Sequence, residues 1–285
     1  MTRFPTLLAL LAALLLCAAP VPAADGLLVV GGHPAMGTRI TSLPYTISVP
    51  GHYFISRNLS YTGGHGITVN SSNVTLDLMG FTVTGPNVSS SYVGVIIHNQ
   101  NNVEVRNGTL TGWYMGVQED GGGDNHQIIG IRAAGNRIGI YLTGTRHLIK
   151  GCTAFPGSYG STIGLLISGT GAISGCTVRS FDIGISIYEG TVSSNVVSDC
   201  AIGINANGNT MINYNQVSSC SSGINGTGGG SIVGNTVFIG SDQTGIVPAP
   251  VGGTPNLVDQ NNASGPGTRY GPGCGNTVWG ANGGR

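Results

Sequence analysis

The chain has 285 residues and a formal net charge of zero, from 11 basic and 11 acidic side chains, and only 8% of its residues are charged. That balance excludes a global basic field for nucleic acid, and a 40% hydrophobic share excludes the low-hydropathy, high-charge composition of disordered chains. Its 50 glycines follow no three-residue period, which excludes collagen and leaves a repetitive fold rich in turns.

In chain order, Arg3, the apolar run Leu7 to Leu16 and the small residues up to Ala24 read as a secretory signal peptide, residues 1–24, cut near Ala23 or Ala24. The run is too short to span a bilayer comfortably, so a secreted or periplasmic product without a membrane span is expected. A retained anchor and a lipid-modified Cys17 are the alternatives; Leu16 stands where lipidation needs a small residue. Five cysteines follow: Cys152, Cys176, Cys200, Cys220 and Cys274. Export permits disulfides, and an odd count leaves at least one thiol unpaired or paired between chains. No Cys-x-x-Cys occurs, which disfavours a zinc or redox motif.

Residues 25–62 read as an N-terminal segment and cap, and 63–246 as repeats. Gly66-Ile67, Gly94-Val95, Gly116-Val117, Gly139-Ile140, Gly164-Leu165, Gly184-Ile185, Gly203-Ile204, Gly223-Ile224 and Gly245-Ile246 return every 19 to 28 residues. So short a period, rich in β-branched residues, predicts a solenoid. Each unit holds three short alternating strands, one coil of a parallel β-helix. After Gly94, Val95 and Ile97 are expected inside, with Ile96 and His98 outside. Eight or nine coils stacked about 4.8 Å apart make a rod of roughly 40 Å. The repeated glycine is read as a turn residue with positive φ. The two longest intervals predict loops at Pro86 to Tyr92 and Pro156 to Ser161. Residues 247–285, with five prolines among many glycines, read as a cap or a loose tail.

Alignment of the units gives columns. Gly108, Ile131, Cys152, Cys176, Asn195, Asn215 and Asn235 share one, which predicts a stacked amide ladder. Cys200 and Cys220 share another. Stacked cysteines are read as small core fillers, with bridges Cys152–Cys176 and Cys200–Cys220 as the alternative.

The nine Gly-aliphatic units, with Asn-Val-Thr-Leu-Asp-Leu-Met-Gly-Phe-Thr-Val (73–83) and Asn-Val-Glu-Val-Arg-Asn-Gly-Thr-Leu (102–110), resemble bacterial exported right-handed parallel β-helix proteins of the pectin-lyase-like superfamily. The resemblance covers about residues 37–246. It implies an all-β right-handed solenoid and an activity toward polysaccharide: lyase, hydrolase, epimerase or adhesin. Enzymes of this fold act on the outer face of one sheet.

On that face, His98 and Asp120 fall on adjacent coils with Tyr141 one coil further, a patch able to bind or deprotonate a sugar. Lys150, on the second strand, is a candidate base, and Asp77 beside Arg106 predicts a surface ion pair. Glu119, Asp120 and Asp124 lie in a Gly-rich segment that offers oxygen ligands for Ca²⁺, with a solvated loop as the plainer reading. No complete catalytic set is visible: no outward column puts two acids on adjacent coils, as glycoside hydrolysis requires. The reading is an exported rod that binds a polysaccharide or other glycan on an outer strand face. An active lyase or hydrolase and a non-catalytic surface rod stand as alternatives. Oligomeric state is not legible.

Overall fold

The computed structural model describes residues 37–157, 162–249, 256–271 and 278–279. The expected signal peptide, Cys17, Cys274 and the tip of the 156–161 loop lie outside them. The described chain is all β, with parallel strands stacked as a solenoid of about ten turns. Three faces repeat. One turn runs through faces A and B as Ile183–Ser193 and face C as Val196–Ser198; the next opens face A again as Ile202–Ala206. The pairing is in register on all three, with Ile185 opposite Ile204, Val192 opposite Ile212 and Val197 opposite Val217.

Alternation explains the core. On face A, Ile67, Val95, Val117, Ile140, Leu165, Ile185, Ile204, Ile224 and Ile246 stack fully buried. Face B stacks Leu76, Val105, Ile128, Ile149, Ile173 and Val192, and face C stacks Val83, Leu110, Ala133, Ala154, Val178 and Val197. Each large aliphatic so buried contributes about 1.5–3 kcal/mol before chain entropy is subtracted. Ile96 sits in the outward column as expected yet is only 4% exposed.

The stack is longer than eight or nine coils because both ends join it. Tyr45–Ile47, Gly51–Ile55 and Leu59–Ser60 form a full turn under the first repeat. Leu257–Asp259, Asn262–Ser264 and Thr268–Tyr270 continue it after the last, in a segment read as cap or tail.

The repeated glycine serves a different purpose from the one expected. None of the nine has positive φ. Instead each packs under the next turn's backbone: a Cβ on Gly66 would lie 2.6 Å from Gly94 O, and one on Gly94 2.7 Å from Gly116 O. Left-handed backbone falls at the corners, at Asn73, Asn102 and Asn125 between faces A and B, and at Gly130, Gly151, Gly175, Ser194 and Tyr214 between B and C.

The amide ladder forms and gains a member. Asn195, Asn215, Asn235 and Asn261 are all buried, and the Nδ2 of each of the first three donates to the next Oδ1 at 2.9–3.0 Å. Cys152, Cys176, Cys200 and Cys220 are free buried thiols that fill the core, not bridges. Trp113 plugs the corner between C and A, its Nε1 donating to Val83 O at 3.1 Å. Among the described residues no helix is long and apolar enough to cross a membrane.

Candidate functional site

The outward columns of face A follow from the register. One runs Thr68, Ile96, Gln118, Tyr141, Leu166, Ser186, Asn205 and Asn225. The next strand position outward holds His98, Asp120, Thr143, Ser168 and Tyr188 on successive turns.

His98 and Asp120 meet. His98 Nδ1 lies 2.9 Å from both Asp120 carboxylate oxygens, with the two side chains 42% and 32% exposed. A carboxylate only accepts, so Nδ1 donates to it, and in a neutral ring the lone pair stands on Nε2. Gln100 Nε2 donates to His98 O at 2.6 Å and steadies the turn that follows the strand. His65 stands nearby, its Nδ1 accepting the Val93 amide; burial, with the His98 imidazole second, holds it below the ordinary histidine range. Tyr141 sits one turn above Gln118 on the same face. Lys150 does not join them. It pairs in register with Ile129 and Ser174, which places it on face B, around the corner from the dyad.

The Ca²⁺ ligand set expected from Glu119, Asp120 and Asp124 does not converge, and among the described residues no three His, Cys, Asp or Glu side chains are grouped to hold a metal. Strand alternation is the reason, since neighbours on a strand face opposite ways. Asp120 points out to His98. Asp124 pairs with Arg146 and accepts from Thr145 Oγ1 at 2.8 Å. Glu119 points in and is fully buried, opposite Ile97.

Glu119 is a buried strand residue and not a solvated loop acid. Its Oε1 accepts the Gly121 and Gly123 amides at 2.8 Å each, and its Oε2 accepts the Gly122 amide at 3.1 Å and the Thr143 hydroxyl. Burial alone raises its pKa, but these donors outweigh it and hold the carboxyl below the ordinary glutamate range. Two further polar residues share the same corner of the interior. His126 and His147 are 0% and 2% exposed, and their rings stack 5.0 Å apart at an interplanar angle of 8°. The sequence reading missed both. They continue the inward column Val74–Val103, three residues before the outward second-strand column of Asp77, Arg106 and Lys150.

Asp77 and Arg106 form the expected ion pair at 2.8 Å, with Asp77 buried rather than on the surface, and Glu104 joins Arg106 at 2.9 Å. Two cavities lined by described residues lie off face A, about 100 Å³ at Thr75, Asn102, Glu104 and Gln127 and about 300 Å³ at Asn209, Met211, Ser231 and Leu257.

No protein-family model matches the chain, and no curated protein matches it. Among solved structures it is similar to the Dettilon tailspike protein (gp208), with a TM-score of 0.65 at 16% identity over 80% of this chain. The match covers 55% of the tailspike chain, so this chain spans about half its length. In-register stacking on three faces and this likeness agree: the chain is a parallel β-helix repeat protein.

Proposed function

We infer that the chain is an exported rod that binds a polysaccharide along the outer surface of face A. One observation carries this reading. His98, Asp120, Gln118, Tyr141, Ser168, Asn205 and Tyr188 share one outward surface, repeated turn by turn at about 4.8 Å. Regularly spaced amides, hydroxyls and aromatic rings match a polymer whose units offer hydroxyls and C–H faces in repetition. Tyr188 is 58% exposed, a ring free to stack on a sugar. The resemblance to exported polysaccharide-acting β-helix proteins points the same way. Affinity electrophoresis of the purified chain through gels cast with neutral and acidic polysaccharides tests it: retardation by at least one polymer is expected, and unretarded migration in every gel refutes it. Export rests on residues 1–24; the mass of the product recovered outside the cytoplasm is expected to lack them.

The His98–Asp120 contact favours a second reading, β-elimination at a uronate. His98 Nε2 removes the proton α to the carboxylate, the C4–O bond breaks, a C4=C5 double bond forms, and the leaving oxygen takes up a proton. Hydrolysis is less favoured, because Asp120 is the only acid in these outward columns among the described residues. Appearance of unsaturated-product absorbance with uronate polymers supports elimination; none, with and without Ca²⁺, rejects it for those polymers.

A further inference from the structure

We propose that the buried stack of His126 on His147 is an acid-triggered latch on the loop that carries Asp120. For its effect on ligand this rests on the reading of face A; for its structural effect it rests on geometry alone.

A chain of contacts ties the loop to the two histidines. Glu119 grips the amides of Gly121, Gly122 and Gly123 and the hydroxyl of Thr143. Thr143 O accepts from His147 Nε2 at 2.8 Å. His147 Nδ1 accepts the His126 amide at 3.2 Å. His126 Nε2 lies under Gly123, where an added Cβ would come within 2.8 Å, and makes no hydrogen bond there. Asp120 sits within these contacts, between Glu119 and Gly121.

Both imidazoles are locked neutral. His126 Nδ1 accepts the Val103 amide at 3.2 Å, and His147 Nδ1 accepts the His126 amide. A nitrogen that accepts a backbone N–H has no room for its own proton. Charging either ring therefore breaks a backbone hydrogen bond at the corner between faces A and B. Charging both sets two cations face to face in the core. His126 Nε2, already the protonated nitrogen, is buried without a partner.

The surroundings do not rescue the charge. Of the acids facing the pair, Glu119 is saturated by four donors and Asp124 is paired with Arg146. Asp120 is turned outward to His98. The next turn offers only Gly171, opposite His147. Desolvation, with the His147 imidazole second, drives His126 down to about 4, in line with this geometry. Acid thus releases the Val103 and His126 amides, then Gly121 to Gly123, and with them the placement of Asp120.

The test uses the full chain and two Asn replacements. In His126→Asn and His147→Asn an amide oxygen takes the place of Nδ1 as acceptor, as Asn215 does for the Asn195 amide, and carries no titration. Hydrogen exchange, corrected to protection factors, is compared at about pH 7.5 and about pH 5. In the unmodified chain the Val103, His126 and Gly121 to Gly123 amides are expected to lose at least about tenfold in protection while Val178 and Val197 do not. The double variant is expected to show no such loss, and either single variant, if the double does not fold, a smaller loss than the unmodified chain. Equal protection at both pH values, or the same loss in the variants, overturns the latch. Gel retardation of the unmodified chain, repeated at both pH values, separates the two readings. Weaker retardation at low pH supports the coupling, and unchanged retardation overturns it. Absence of retardation at both pH values refutes glycan binding and with it the coupling to ligand, and leaves the latch to the exchange result.

Discussion

Asn215 Oδ1 accepts both the backbone amide and the side-chain amide of Asn195, at 3.0 and 2.9 Å. Asn215 in turn donates to Val192 O at 2.9 Å and to Asn235 Oδ1 at 2.9 Å. One buried side chain therefore satisfies a corner of two turns. Asn215→Ala strands the Asn195 amide and the Val192 carbonyl in the interior, at about 1–3 kcal/mol for each buried orphan. Solenoid stability sums over neighbouring units, so the loss should appear locally. Hydrogen exchange is expected to show the turns around residues 195–235 opening first while those around 67–106 keep their protection. Uniform loss along the rod, or none, contradicts this account.

The two kinds of glycine should respond in opposite ways to the same replacement. Gly151 has φ of 61° with nothing within 4 Å of an added Cβ, and Asn107 already takes the same conformation two turns below it. Gly151→Asn should stay within about 0.5 kcal/mol, because Asn tolerates the left-handed region. Gly116 has ordinary φ, but a Cβ there meets Gly139 O at 2.6 Å and Asn136 Nδ2 at 3.1 Å. Gly116→Ala forces two turns apart and should cost about 1–3 kcal/mol. Thermal melts of the two variants decide it; equal melting temperatures argue against close approach as the reason for the repeat.

That contrast also shows how far the sequence was legible. Periodic Gly-aliphatic pairs revealed the turns, and alternation placed Val95, Ile185 and the Asn column correctly, because a stacked repeat turns spacing into register. The role of the glycine was not legible, since close approach and positive φ both select Gly. The end turns were hidden for a similar reason: Tyr45–Ile47 and Thr268–Tyr270 lack the Gly-aliphatic pair, yet pair with the strands at Gly66-Ile67 and Gly245-Ile246. The His98–Asp120 contact followed from one register step. Glu119 did not, because a carboxylate at an aliphatic core position shows itself only when the three glycine amides that bind it are folded around it.

Stability should fall in mild acid. His126 is held down to about 4, against an ordinary value near 6.5, and burial also lowers His147. A group with a lowered histidine pKa binds fewer protons folded than unfolded, so stability rises with pH across that window. The contribution is complete above about pH 6.5 and is lost as pH falls toward about 4, to the extent of about 3 kcal/mol for His126. Glu119, held below the ordinary glutamate range, adds loss in the same direction at lower pH. Denaturant unfolding followed from about pH 7.5 to about pH 4 should steepen below about pH 6.5 in the unmodified chain and flatten in His126→Asn. A flat profile in the unmodified chain contradicts the buried neutral pair.

The dyad separates binding from chemistry. Asp120→Asn keeps a hydrogen-bond acceptor for His98 Nδ1 but removes the charge that holds the proton there. If face A only binds, polysaccharide retention should change by less than about threefold in Asp120→Asn and by about tenfold or more in Tyr141→Ala, which loses a ring and its hydroxyl. If His98 Nε2 is a base, Asp120→Asn should lower the elimination rate by about 10²-fold or more while retention stays intact. Lys150→Ala supplies the control: Lys150 lies on face B, so neither retention nor rate should move. An effect of Lys150→Ala equal to that of Tyr141→Ala would shift the ligand off face A and onto face B.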